Sequence, residues 1–229
     1  MKKIAIVIFT LTFIFTINVA AFPIPKDNKV TFDIIRKNKV IGTHKIKFIE
    51  NDKFLLVETN ININVKILFI PAYKFSHYSV EKWINEDFIE ITGHTNFEDE
   101  REYFINGYEN NNSFIAQGMD GKLTLNNKIL PSNFWNINML NQKEIFDTQK
   151  GIVREIDVKD LGDEEIIINE KKINCKKFTL NASSNPKDKG PFPEYTLWYD
   201  HKDELMKFKF INWRDKKVVT LIRKLQEED

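Results

Sequence analysis

The sequence predicts an all-β protein, a single antiparallel meander that forms a curved, open or nearly closed barrel-like sheet. The clearest support is strict alternation, in which Ile61, Ile63 and Val65 are interleaved with Asn62 and Asn64. Only an extended strand places every second residue on one face. Turn signals recur at short spacing beyond residue 30, as expected of a meander. A β-sandwich is the alternative, because alternation alone does not separate the two architectures.

The N-terminal segment has the pattern of a cleavable signal peptide covering residues 1–21. Lys2 and Lys3 precede a short apolar run, and small residues lead to a cleavage site near Ala21. We therefore expect residues 22–229 to be a single all-β domain in the periplasm or secreted, with no stable membrane span after signal cleavage. The alternative is an uncleaved membrane anchor.

The expected strands follow one another in chain order. The first hairpin precedes a long third strand, which ends at Pro71 because proline cannot donate to a ladder. The expected strands cover residues 30–34, 40–48, 54–69, 73–84, 88–97, 101–105, 114–117, 123–125, 152–158, 165–168, 173–180, 195–199, 205–211 and 217–225.

Two segments depart from the strand pattern. Residues 136–147 are compatible with a short helix. Residues 181–194 are expected to form a long loop, because Pro186, Gly190 and two further prolines fall there. No composition shift or internal repeat divides the chain.

Charge and cysteine content weigh against several functional classes. Removing Lys2 and Lys3 from the 34 basic residues leaves 32 against 33 acidic residues, so the domain lacks the basic excess that nucleic-acid binding requires. Cys175 is the only cysteine, which rules out an intramolecular disulfide and a cysteine-ligated metal cluster. Because Cys175 lies within an expected strand, we interpret it as a small core residue rather than a nucleophile.

The hairpin over residues 73–97 concentrates the candidate site residues. If Glu86 and Asp87 form a two-residue turn, Asn85 pairs with Phe88 and fixes the register of the ladder. Directly opposed residues have Cβ atoms about 5 Å apart, so one face is expected to form a compact polar patch. That face carries His77, Ser79, Glu81 and Trp83 opposite Asn96, His94, Thr92 and Glu90, with Tyr73 and Phe75 at its border.

Three interpretations of this patch stay open. It is the solvent side of a two-faced sheet, or it lines a concave interior that binds a ligand, or it supports metal binding or acid–base catalysis. The aromatic residues favour the second interpretation, because they are costly to expose. The ligand-binding residues are then Tyr73, His77, Glu81, Trp83 and His94. No residue is assigned to catalysis or to a metal, and no cofactor is predicted.

An ordered set of short motifs adds a resemblance. The set comprises Val40-Ile41-Gly42-Thr43-His44, Tyr73-x-Phe75-x-His77-x-x-x-Glu81-x-Trp83, Ser132-x-x-Trp135-Asn136, Asp147-Thr148-Gln149-Lys150-Gly151 and Leu197-Trp198-Tyr199-Asp200. It resembles an uncharacterised bacterial family of exported proteins, a domain of unknown function of the six-one-three-four type. The resemblance covers nearly all of the mature chain and implies an all-β, periplasmic-type domain. It implies no activity, substrate or catalytic residue.

The favoured function is a non-catalytic binding module for an apolar or amphipathic envelope molecule, such as a lipid. A structural or assembly protein of the cell envelope, acting on another envelope protein, is the first alternative. A metal-dependent or acid–base hydrolase is the second, although the sequence has no Gly-x-Ser-x-Gly elbow, phosphate loop or His-Glu-x-x-His motif.

Overall fold

The computed structural model describes residues 24–67, 70–97, 101–188 and 190–225, so the expected signal peptide lies outside the described residues. One 3-10 helix, Ile137–Asn141, stands where a short helix was expected, and a strand follows it directly. The strands are β1 (Lys29–Arg36), β2 (Lys39–Glu50), β3 (Leu55–Ile67), β4 (Ile70–Ile84), β5 (Asp87–Asn96), β6 (Glu102–Asn110), β7 (Ser113–Gly118), β8 (Gly121–Asn126), β9 (Leu130–Pro131), β10 (Glu144–Asp147), β11 (Ile152–Ile168), β12 (Lys171–Ala182), β13 (Tyr195–Tyr199), β14 (Leu205–Ile211) and β15 (Val218–Arg223).

All of these strands belong to one sheet. Its order is β8-β7-β6-β5-β4-β3-β2-β1-β15-β14-β13-β12-β11-β10-β9, which is a meander joined through the β1–β15 pair. Every pairing is antiparallel except the short parallel pair of β9 with β10. The predicted curved, barrel-like sheet is therefore confirmed, and the sandwich alternative is wrong.

The two ends of the sheet meet without a ladder between them. Gly118, at the end of β7, packs so closely on Gly151 that a Cβ at Gly118 would lie 2.4 Å from the Gly151 Cα. The amide of Met119 donates to the carbonyl of Lys150 at 2.7 Å. Nearby, the Asn185 side chain donates to Asp120 at 2.7 Å. We call this junction the seam.

The inner face of the sheet forms the main core, and one end of it is filled by aromatic rings. Trp135 packs edge-on against both Phe48 and Trp83, each with ring centroids 5.4 Å apart. Phe88 stacks on Phe114 at 4.8 Å. These five residues close the base of the barrel, because aromatic side chains bury large areas and pack well edge to face.

A second, smaller core lies on the outer face. A register shift between Asp160 and Asp163 turns the far half of β11 over, because one extra residue exchanges the two faces of a strand. Ile166 and Ile168 consequently pack outside the barrel with Cys175 and with Trp198 and Met206. Cys175 is buried there, as expected from the sequence, and burial raises the pKa of its thiol to about 11.

The β4–β5 hairpin differs in register from the sequence-based expectation. The turn is formed by Asn85 and Glu86, both with positive φ, rather than by Glu86 and Asp87. This change of turn by itself would leave His94 on the same face as His77. A bulge at Ile89 of β5, opposite Lys82 and Trp83, then moves the ladder by one further residue, so that His77 pairs with Thr95 and His94 pairs with Tyr78.

Within the described ranges, no helix has the length and the apolar character needed to cross a lipid bilayer.

Candidate functional site

A cavity of about 180 Å³ lies inside the barrel, between the aromatic base and the opposite end. At that opposite end the lining side chains are partly exposed, and Trp213 is 41% exposed. We call this end the mouth. Most of the wall is aromatic or aliphatic, and its rings include Tyr73, Phe75, Phe97, Phe134, Phe192, Tyr195, Phe208 and Phe210.

A group of buried polar side chains lines the cavity on the side of the base. We call this group the deep end. It consists of His44 on β2, Thr59 on β3, and His77, Ser79 and Glu81 on β4, each no more than 7% exposed. They reach the interior because alternate residues of each strand face inward. The deep end is therefore polar, whereas most of the remaining wall is aromatic or aliphatic.

His44 and His77 occupy one row across three strands. His44 pairs with Ile61, which pairs with His77, so all three side chains share the inner face. Backbones two strands apart are about 10 Å from each other, and the two rings therefore flank the space above Ile61. Desolvation lowers the pKa of His44 to about 4. Desolvation, with the charges of His44 and His94, lowers the pKa of His77 to about 3, so both rings are neutral at pH 7.

The two histidines differ in their hydrogen bonds. The Nδ1 atom of His77 lies 2.8 Å from the Thr95 hydroxyl, across the β4–β5 pair. Both ring nitrogens of His44 are buried and have no hydrogen-bond partner within the described part of the chain. A buried polar group left without a partner costs about 1–3 kcal/mol, so His44 is a destabilising element unless a further molecule reaches it.

Glu81 is held by three donors. Its Oε2 accepts from Asn133 Nδ2 at 2.9 Å and from the indole nitrogens of Trp83 and Trp135 at 3.1 and 3.3 Å. Burial raises its pKa to about 7, and these hydrogen bonds oppose the rise. Glu81 is consequently partly protonated near neutral pH, and its three hydrogen bonds fix the position of the carboxyl.

A buried ion network ties the 181–194 loop to the wall near the mouth. Arg154 donates to Asp147 at 2.9 Å and to Asp188 at 2.6 Å, and Lys150 also pairs with Asp188. Burial alone would raise the pKa of Asp188, but the hydrogen bonds from Lys150 and Arg154 keep it below its usual value. Two cations and two anions compensate one another, so this wall carries no uncompensated charge from these four groups.

The structure brings together most of the ligand-binding residues expected from the sequence. Tyr73, His77 and Glu81 line the cavity, while Trp83 lies just below it in the base and donates to Glu81. His94 does not join them. It lies on the outer face, 2.6 Å from Glu102, because of the bulge in β4–β5.

Several residues at the site were not predicted from the sequence. His44 stands in the opening motif and alternates with buried Ile46, which would have placed it on the inner face. Asn133 reaches Glu81 only through long-range folding, because the two residues are 52 positions apart. Asp147 and Arg154 are neighbours across the β10–β11 hairpin, a pairing that the sequence analysis did not predict. Across the described segments, no three His, Cys, Asp or Glu side chains form a group that could hold a metal ion.

The fold and the cavity together define a class, β-barrel-like proteins with a partly open interior. The chain belongs to a particular family within it, the domain of unknown function DUF6134, whose model matches residues 32–222. No curated protein is detectably similar in sequence.

Two solved structures that match the chain are distant from it in sequence. One is the crystal structure of a β-barrel-like protein of the domain of unknown function DUF1849 from Brucella abortus, with TM-score 0.60 and 11% identity over 86% of this chain and 94% of that chain. This likeness extends to the fold alone. Another is a lipoprotein candidate from Parabacteroides distasonis, with 11% identity over 88% of this chain and 96% of that chain, but with a TM-score of only 0.28.

Proposed function

We propose that this protein is an exported, single-domain binding module that holds an apolar or amphipathic envelope molecule in the barrel interior. The observation that carries the proposal is the cavity, which has aromatic walls, a polar deep end and an accessible mouth. Ligand sites commonly combine mostly apolar walls with a few placed polar groups. Export rests on the N-terminal pattern of residues 1–21.

The size of the cavity limits what is enclosed. An engineered apolar cavity of about 150 Å³ accepts benzene, so a cavity of about 180 Å³ holds one ring or a short alkyl segment. A longer molecule would extend through the mouth past Trp213 and Phe192. This geometry favours a chain-like or ring-bearing ligand over a bulky folded one.

The polar groups of the deep end argue for binding rather than catalysis. Burial lowers the pKa of His77 to about 3, so the ring is a weak base at neutral pH, although its Nδ1 lies 2.8 Å from the Thr95 hydroxyl. Glu81 Oε2 is surrounded by donors that fix the side chain in place. A weak base and a fixed carboxyl favour a recognition surface over a proton-transfer relay, although the pKa of Glu81, about 7, is in the range of a general acid.

The direct test uses full-length protein exported by its host and purified without detergent. Native mass spectrometry should detect a co-purifying small molecule, and N-phenyl-1-naphthylamine should gain fluorescence on binding the emptied protein. The informative variant is Ile61→Trp, which fills the cavity beside the two histidines. We expect it to weaken probe binding at least tenfold.

Asn60→Trp is the matched control, because Asn60 precedes Ile61 on β3 but is exposed on the outer face. It should leave probe binding within about twofold of the original. Equal probe binding by the two variants, or no probe binding by any folded form, would refute an interior site.

A further inference from the structure

The deep end has a hydrogen-bonding capacity that the described protein atoms leave unused. A neutral imidazole has one N–H donor and one nitrogen acceptor. Neither nitrogen of His44 meets a partner within the described ranges, although the residue is 96% buried and lines the cavity. Thr59 and Ser79 bring two hydroxyls to the same region, paired across β3 and β4.

The charges around the deep end limit which ligand groups can bind there. His44 and His77 are neutral at pH 7, and no lysine or arginine lines the deep end. The cations that line the cavity, Arg101 and Lys150, lie near the mouth, where each is within 5.5 Å of the Phe97 ring centroid. A carboxylate or phosphate at the deep end would be buried with Glu81 and without a counter-ion, which is costly.

An ammonium group is a poor fit as well. It can donate to the acceptor nitrogen of His44, but its charge would have to be buried in the deep end, which is costly. Glu81 Oε2 already receives three donors. A hydroxyl group can donate to one imidazole nitrogen or accept from the other, and it carries no charge to desolvate.

We propose that the ligand inserts an uncharged hydroxyl group into the deep end, where it donates a hydrogen bond to the acceptor nitrogen of His44, with its apolar part toward the mouth. The ligand class is therefore an amphipathic alcohol, either an alkyl or isoprenoid chain alcohol or a ring alcohol. This inference rests on the proposed interior site and specifies the head group that the site recognises.

The test compares 1-octanol with three analogues of similar length. These are heptyl methyl ether, which has the same number of heavy atoms but cannot donate a hydrogen bond, and octanoate and octylammonium, which are charged. Each competes with N-phenyl-1-naphthylamine on the full protein at pH 7.5. We expect octanol to bind about tenfold more tightly than the ether and than either ion, as one lost buried hydrogen bond implies.

The outcomes separate this inference from the proposed function. If all four displace the probe but octanol has no advantage over the ether, the interior site stands and the hydroxyl assignment is wrong. Tighter binding of octanoate would place the head group beside Arg101 and Lys150 instead, and would also overturn the inference.

His44→Phe links the preference to this residue. The ring fits beside Phe32 and Phe208, whose centroids lie 5.6 and 6.1 Å from that of His44. The variant should bind octanol and the ether within about twofold of each other. His94→Phe, on the outer face, should keep the tenfold preference. His44→Leu is the substitute variant if the phenylalanine ring disturbs the fold. If both His44 variants still prefer octanol to the ether, the assignment of the hydroxyl site to His44 is wrong.

Discussion

His44 and His77 stand on either side of Ile61 in one row of inward-facing side chains, yet only His77 has a hydrogen-bond partner within the described chain. The two residues share strand geometry, burial and neutral charge. They differ in what their removal should do to the stability of the protein.

His44→Phe should stabilise the ligand-free protein, whereas His77→Phe should destabilise it. The first change removes two buried nitrogens without partners, and we expect a gain of about 1 kcal/mol or more. The second leaves the Thr95 hydroxyl without its partner, and we expect a loss of about 1–2 kcal/mol. Urea unfolding at pH 7.5 measures both. A loss of stability in His44→Phe equal to that in His77→Phe would contradict the prediction.

Stability should fall as the pH is lowered from 6.5 to 4.5. In this range the unfolded chain protonates His44 and His77, whose folded pKa values of about 4 and 3 keep them neutral. Glu81, with its folded pKa of about 7, acts in the opposite direction, because the folded state holds its proton while the unfolded state releases it. The unfolded chain therefore binds about one proton more than the folded protein in this range. The free energy of unfolding consequently falls by about 1.4 kcal/mol for each pH unit.

Glu81→Gln isolates the opposing contribution to this pH dependence. Glutamine keeps an acceptor for Trp83 and Asn133 but does not titrate, so both histidine contributions remain without compensation. Urea unfolding across the same pH range should then show a slope of about 2.7 kcal/mol per unit. An unchanged slope would mean that the carboxyl of Glu81 is ionised throughout this range.

Breaking the buried ion network should be far more costly than breaking a surface pair. Arg154→Met leaves Asp147 and Asp188 buried without the guanidinium, and we expect a loss of about 3–5 kcal/mol in unfolding free energy. Lys172→Met removes the exposed pair with Glu165 and should cost under about 1 kcal/mol. Equal costs would show that the network is not desolvated in solution.

The seam should be intolerant of a single methyl group. Gly118→Ala places a Cβ against the Gly151 backbone, and we expect a loss of about 1–3 kcal/mol together with faster hydrogen exchange of the Met119 amide. Gly121→Ala is the control, because nothing lies within 4 Å of its Cβ position and only its φ of +83° is strained. It should cost about 1 kcal/mol and leave the Met119 amide protected.

Alternation within one strand was enough to predict part of the site. His77, Glu81 and Trp83 are separated by even numbers of residues, so their shared face does not depend on pairing. The same argument places Ile61 and Ile63 together on the inner face of β3. These inferences require only that the segments are extended, which their alternation already predicts.

The register between paired strands and the contacts between distant segments could not be predicted from the sequence. The placement of His94 depends on the one-residue bulge at Ile89 of β5, which exchanges the faces of β5 relative to β4, and no proline or glycine marks that position. Long-range contacts, such as the hydrogen bond between Asn133 and Glu81 across 52 residues, depend on the curvature of the whole sheet. Local sequence carries no information about such distances.

The seam also bears on whether the width of the barrel interior can change when a ligand binds. A barrel closed by a continuous ladder has a circumference fixed by strand number and stagger. Here the ladder ends at β8 and β9, and between Gly118 and Gly151 the perimeter is held by packing and the Met119 amide. Widening the barrel interior at this junction would therefore break the glycine contact and the hydrogen bonds of Met119 and Asn185, but no strand pairing.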